Sequence, residues 1–202
     1  MKQRIILASV SPRRKGLLQQ IGLEFDVMPS NYKENMKASI PPAKLAETLA
    51  YGKANDVVKR VKEGIVIGVD TFMALGNKRV GKPKNKEDAI KTLRSLSGKT
   101  INVYSGIAII DAKTKKKIVD HEITRIKMKK LSDEEILAYV NTKEPLDKAG
   151  SIAIQGLGAI FIEKIDGCYS NVIGLPLVCL YKNLKKFGVN IFEYEKWKNY
   201  VE

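Results

Sequence analysis

RIILASVSPRRKGLL, residues 4–18, runs a short apolar stretch into a helical pattern through a Ser-Val-Ser-Pro corner. Residues 4–8 read as a buried strand, because an unbroken apolar run suits a strand covered on both faces. Ser11 and Pro12 then supply start signals for a helix, a favoured N-cap followed by a ring already fixed at helical φ. Leu17, Leu18 and Ile21 make its apolar stripe, and Gly22 stops it. A strand that feeds straight into a helix is the unit of α/β sheets.

Outward from this corner the alternation continues. Residues 25–28 suggest a second strand, followed by a polar loop to Ile40 and a long helical pattern over 41–62. Residues 64–69 read as a central strand, with 72–75 and Lys78–Val80 a hairpin across Gly76-Asn77. A helix over 85–96 closes at Ser97-Gly98, and two alternating segments, 100–110 and 117–127, form a hairpin around a lysine-rich turn. Ser132 with Glu135 makes a capping box for a helix to about Asn141. A glycine-rich stretch over 150–158 precedes a strand at 159–165, and 175–187 is a late helix. No repeat or linker interrupts the series. The prediction is α/β, with a mixed sheet because of the hairpins.

The chain has 202 residues, 44% of them hydrophobic, which fits one globular domain and argues against disorder. No apolar run approaches membrane-span length and no signal-peptide pattern opens the chain, so a cytoplasmic protein is expected. Cys168 and Cys179 lie in apolar surroundings without a CxxC and read as buried structural thiols. The single histidine, His121, leaves a Ser-His-Asp triad or a histidine metal site almost nothing to build with. Lys and Arg outnumber Asp and Glu 36 to 22, for a net charge of +14. Such an excess favours polyanionic partners. A nucleic-acid module is the weaker version, because the lysines are not interleaved with stacking aromatics.

Chemistry can be placed at several points. The corner Ser9 to Arg14 puts helix N–H groups and two guanidinium forks where a phosphate would fit, or is an ordinary Ser-Pro cap with solvated arginines. Asp70 ends the apolar strand, where α/β proteins place ligands, and can hold a metal, act as a base or cap a turn. Lys82 follows Gly81 in a rigid Pro turn; Glu34 sits in the polar loop and Lys53 in mid-helix. Asp147 and Lys148 lie between Pro145 and Gly150, and Gln155 beside Gly156, which suggests tight backbone near a ligand or a pair of structural turns.

LASVSPRRKGLL (7–18), GVDT (68–71), GKP (81–83), LSG (96–98), EPLDKAG (144–150), IQGLGA (154–159) and NVIGLPL (171–177) together resemble the Maf-like proteins, in order and spacing, over about residues 5–187. The resemblance implies an inosine-triphosphatase-like (Maf/Ham1) architecture: a mixed twisted sheet with flanking helices and two lobes around a central cleft. It implies a single domain over 1–202 with a short extension from about 188. It also implies a nucleoside triphosphate pyrophosphatase, a hydrolase acting on phosphorus anhydrides with Mg²⁺ or Mn²⁺, and by analogy a homodimer. Arg13, Thr71 and Gln155 match the dTTP/UTP branch of the family; the 7-methyl-GTP branch differs at these positions. On this resemblance Asp70 is the base and, with Glu34, the metal holder. Ser9, Arg13, Arg14, Lys53 and Lys82 bind phosphate, and Asp147 and Lys148 support the cleft. The alternative is a non-catalytic nucleotide-sensing regulator, since family members are associated with inhibited septum formation. Ile101 departs from the family by standing at a histidine position, where it reads as structural support, and Ser105 stands at a threonine position.

Overall fold

The central strand of the sequence pattern is longer than its reading. In the computed structural model, which describes residues 3–34, 40–76 and 78–194, one strand runs unbroken from Ile65 to Leu75. Strand β1 (Ile5–Leu7) pairs in parallel with β2 (Asp26–Val27) and with β3 (Ile65–Leu75). The crossovers are helices α1 (Pro12–Gln20) and α2 (Pro42–Val58), as parallel pairing requires. β3 then turns into β4 (Lys78–Val80), antiparallel in the register Met73 to Val80. α3 (Lys86–Leu96) follows, its N-cap Asn85 accepting from Asp88 N. β5 (Thr100–Asp111) and β6 (Lys117–Met128) are neighbours in the sheet, and β7 (Ile162–Asp166) pairs antiparallel with β6. Between β6 and β7 comes α4 (Asp133–Asn141), with the expected capping box of Ser132 and Glu135. α5 (Tyr169–Ile173) and α6 (Leu177–Lys185) follow β7, and a 3-10 turn over Ile191–Glu193 comes after them. The seven-stranded sheet has the order β2-β1-β3-β5-β6-β7, with β4 on β3. The fold is therefore mixed α/β with flanking helices.

The chain divides into two compact units: 1–71, 105–122 and 174–202, and 72–104 with 123–173. The first is centred on Ile6, Ala50, Ala54, Val57, Val66, Ala108 and Ile110. The core of the second is built from Met73, Leu93, Leu96, Ile101, Ile126, Ile136, Tyr139 and Phe161.

Three expectations change. Asp70 does not end a strand; it lies in the middle of β3. The position is still special, because β1 pairs with Ile65–Ile67 and β4 with Met73–Leu75, so Asp70 falls where the partner on that edge changes. The strand expected from 159 begins as a 3-10 turn over Leu157–Phe161, and the sheet starts only at Ile162. Cys179 is buried, but Cys168 is only half-buried; both are free. Burial and the neighbouring Asp120 carboxylate push the Cys179 thiol up to about 12, so it is inert at neutral pH. The hairpin residue Asn77 and most of the expected C-terminal extension, with Trp197, lie outside the described residues.

Candidate active site

The first unit gathers most of the predicted side chains, and small residues decide how. A Cβ on Gly68 would stand 2.3 Å from the carbonyl oxygen of Ala50, and one on Gly106 only 2.0 Å from that of Ala46. Only glycine admits this approach of α2 to β3 and β5. The packing brings Lys53 Nζ to 2.6 Å from Asp70 Oδ1. Glu34 Oε1 lies 2.7 Å from the same ammonium. Glu34 arrives on the loop after β2, which is fastened to α2: Ser30 Oγ and Asn31 N donate to Asp56 Oδ2 at 3.2 and 2.8 Å. The Tyr32 ring lies on Gly52, where a Cβ would come within 2.3 Å of it. One ammonium thus joins two carboxylates. Asp70 is 7% exposed, and a charge so buried needs its partner.

The Ser-Pro corner is wired inward. Ser11 is the N-cap of α1, but its hydroxyl makes no capping bond. Ser9 Oγ instead accepts from Ser11 N at 3.3 Å and from an Arg14 Nη at 3.1 Å. Arg14 Nε donates to the Gly174 carbonyl at 3.0 Å, and Thr71 Oγ1 donates to the same oxygen at 3.1 Å. Thr71 Oγ1 is also 2.6 Å from Ser105 Oγ. A hydroxyl has one proton, so Thr71 gives its own to Gly174 and receives from Ser105. Gly174 has φ +131°, a backbone conformation that needs glycine. Burial lowers the Arg14 pKa and Asp70 opposes the shift; a guanidinium stays charged regardless. Arg13 is exposed. Of two arginines expected to grip phosphate, one therefore also holds the main chain and the other points to solvent.

The second unit carries Lys82, Asp147, Lys148 and Gln155. Lys82 and Gln155 are exposed. Asp147 and Lys148 pair with each other. Gly150 N donates to Gly81 O at 3.0 Å, which ties the turn after Lys148 to the turn bearing Lys82. The loop bearing Gln155 is held by Glu144. Its Oε2 accepts from Leu157 N at 3.0 Å, and its Oε1 from Gly158 N at 3.0 Å and Tyr139 Oη at 2.9 Å. Tyr139 Oη accepts in turn from Ala153 N at 3.2 Å. Burial favours a neutral Glu144, but the Leu157 and Gly158 N–H groups outweigh it and hold its pKa below the ordinary value. Burial, with Glu144 adjacent, raises the Tyr139 phenol.

A divalent cation can be tested against these donors. Among the described residues no three His, Cys, Asp or Glu side chains gather as a ligand set. Two carboxylates, Glu34 and Asp70, converge on one cation already, the Lys53 ammonium. That pair fits Mg²⁺ or Mn²⁺, hard ions that take one or two carboxylates and complete their shell with phosphate and water.

A family model described as Maf-like protein matches residues 4–187. The chain belongs to the Maf-like family. A protein of Desulforamulus reducens named dTTP/UTP pyrophosphatase is 48% identical over 93% of this chain and 98% of its own. Another of that name, from Ruminiclostridium cellulolyticum, is 47% identical over 94% and 98%. A solved structure, the Staphylococcus aureus Ham1 protein, is similar at a TM-score of 0.45 with 14% identity, over 62% of this chain and 72% of that one.

In this Maf-like chain Ile101, expected as structural support, is fully buried in the core of the second unit. Sequence reading missed Tyr32, Gly52 and Asp56, which deliver Glu34, and Tyr139, which acts through Glu144. It also missed that Gly174 holds Arg14. The signals were present as glycines: Gly52, Gly156 and Gly158 each lack a side chain where another group must lie. A Cβ on Gly156 would meet Glu144 Oε2 at 2.3 Å, and one on Gly158 would meet Tyr139 Oη at 2.6 Å. The tight backbone beside Gln155 therefore packs on the protein's own carboxylate and phenol.

Proposed function

We propose that this Maf-like chain is a nucleoside triphosphate pyrophosphatase that hydrolyses dTTP and UTP to the monophosphate and pyrophosphate. The observation that carries the reading is the Glu34–Lys53–Asp70 cluster, in a chain whose near-full-length relatives bear that name. Water attacks the α-phosphorus, Asp70 takes its proton, and the bond to the bridging oxygen of the leaving pyrophosphate breaks. Glu34 and Asp70 would hold Mg²⁺ or Mn²⁺, which would supply charge neutralisation and polarisation of the phosphoryl group. Lys53 keeps both carboxylates in place and adds positive charge beside them. Arg13 and Lys82, exposed and unencumbered by the core, neutralise charge gathering on pyrophosphate, and Arg14 with Ser9 shapes the corner that receives it. Gln155 offers a donor and an acceptor to a pyrimidine edge. Thr71 is assigned to the same selectivity by the family resemblance, its hydroxyl bonded to Gly174 O. Asp147 and Lys148 support the turn beside Lys82. The reading includes a cytoplasmic setting and a homodimer; no helix among the described residues is long and apolar enough to cross a membrane.

The test is pyrophosphate release from dTTP, UTP, CTP, 7-methyl-GTP and ITP with either metal, beside an Asp70→Asn control. Turnover of dTTP and UTP that the control reduces about 10²–10⁴-fold is expected. Preference for 7-methyl-GTP would overturn the roles of Arg13, Thr71 and Gln155. Full turnover by a folded Asp70→Asn protein would remove Asp70 as base. A folded wild-type protein that turns over nothing would move the weight to the regulator.

A further inference from the structure

We propose that Glu144 and Tyr139 are positioning residues that set pyrimidine selectivity, by fixing the backbone on which Gln155 stands. The inference rests on the reading of Gln155 as the group that meets the base. Gln155 lies in a turn outside any strand or helix and faces solvent. Left to itself, such a turn cannot aim an amide, and hydrogen-bond reading of a base edge tolerates errors of only about 0.5 Å and 10–20°.

The clamp removes that freedom from both sides of Gln155. Upstream, Ala153 N donates to Tyr139 Oη; downstream, Leu157 N and Gly158 N donate to the two oxygens of Glu144. Tyr139 Oη donates to Glu144 Oε1, which joins the halves into one device. It is mounted on a rigid element: Tyr139 lies on α4, 4% exposed, with its ring edge-on to Phe161 at 5.1 Å. Chemistry demands these residue types. An ionised carboxylate is acceptor-only and can take three donors at once, and its charge strengthens each bond. A glutamine would turn an NH₂ group toward one of the N–H donors. The glycines at 156 and 158 leave the space the two groups occupy. Neither Glu144 nor Tyr139 is itself placed on the substrate, so their effect reaches the base only through Gln155.

The experiment compares kcat and KM for UTP and for 7-methyl-GTP in Glu144→Gln, Tyr139→Phe and Gln155→Ala, with thermal melting of each. The selectivity ratio should fall about tenfold or more in Glu144→Gln and about threefold in Tyr139→Phe, mostly through a raised KM for UTP. A merely structural role would scale both substrates by the folded fraction and leave the ratio alone. If Gln155→Ala collapses the ratio while both clamp variants keep it within twofold, the clamp inference is overturned and the reading of Gln155 stands. If Gln155→Ala leaves the ratio unchanged, that reading fails and the inference falls with it. Should Glu144→Gln not fold, Tyr139→Phe decides, because it removes one oxygen from a ring that keeps its packing.

Discussion

The two units hold their functional residues in opposite ways. In the first, the charged side chains are themselves the contacts: Lys53 bridges Glu34 and Asp70, and Arg14 grips the Gly174 carbonyl. In the second, Lys82 and Gln155 are exposed, and what is fixed is the backbone beneath them, by Gly150 N on Gly81 O and by Glu144 on the 157–158 amides. The difference fits the work proposed for each group. A base and the cation beside it must stay put in a dry setting, where electrostatics are strong. A side chain that reads a ligand must stay open to it, so rigidity has to come from behind.

The comparison breaks first on two lysines. Lys53→Met leaves two carboxylates facing each other with Asp70 buried. It should cost roughly 2–3 kcal/mol of stability, discounted from a fully buried pair because Glu34 is partly exposed. In a chain of this length that is a melting point lower by roughly 4–12 °C, together with a loss of about 10²-fold or more in turnover. Lys82→Met should lose turnover on a similar scale, yet melt within about 0.5 kcal/mol of wild type, as exposed substitutions do. Equal destabilisation by the two variants in thermal melts would erase the distinction between the units.

Two glycines sharpen it next. Gly106→Ala drives a Cβ into the backbone of Ala46, at 2.0 Å from its carbonyl oxygen, and helix α2 cannot yield without moving Lys53. A cost of roughly 1–3 kcal/mol in a denaturant titration is expected, with activity falling alongside. In Gly156→Ala the nearest atoms to the new Cβ are the carboxylate end of Glu144, a side chain that can swing away. Its stability should change by less than about 1 kcal/mol, while selectivity for UTP drops. If Gly156→Ala proves the more destabilising of the pair, the Glu144 clamp is a fold element and the second unit resembles the first.

The legibility of the sequence follows the same division. Local signals named the elements: the Ser132–Glu135 box stands where its residues put it, the apolar run at 4–8 is a strand over Ile5–Leu7, and the helix expected over 85–96 runs Lys86–Leu96 with Asn85 as its cap. The strand over 65–75 was read as broken at Asp70 and Thr71, because polar residues inside an apolar run look like a turn. Tertiary partners, Lys53 for Asp70 and Ser105 with Gly174 for Thr71, make those positions tolerable within a strand. The charged residues of the first unit were legible as types but not as a bridged trio, since Lys53 and Asp70 are joined by packing of α2 on Gly68 and Gly106, and Glu34 by the loop that Asp56 and Gly52 hold against α2. The clamp was illegible for the same reason: Tyr139 reads as one more apolar residue of an amphipathic helix.

A smaller effect is expected from the hydroxyl relay behind Arg14. Ser105 is fully buried and gives its proton to Thr71. Ser105→Ala removes that donor and should cost about 1 kcal/mol in chemical denaturation, with Ser105→Thr restoring most of it because the hydroxyl returns. Loss of the same size in both variants would mean that packing, and not the hydrogen bond, decides this position.

A change of the same size is expected from a pH effect confined to the first unit. Burial acts to raise the pKa of Asp120, but Asn183 Nδ2 at 2.8 Å and the His121 N–H at 2.8 Å prevail and hold it below the ordinary value. A carboxylate with a depressed folded pKa binds protons less readily than in the unfolded chain. Its contribution is complete above the unfolded value of about 3.9 and is lost as pH falls through the lower folded one. Wild type should therefore be more stable than Asp120→Asn at pH 7, by about 1 kcal/mol, and that gap should narrow in melts as pH falls below about 3.9. Other depressed carboxylates, Glu47 and Glu144 among them, lower both proteins together on acidification and leave the gap unaffected. A gap that persists undiminished at pH 3 would mean that Asn183 and His121 hold Asp120 by its shape, and that its charge contributes nothing to this side of the sheet.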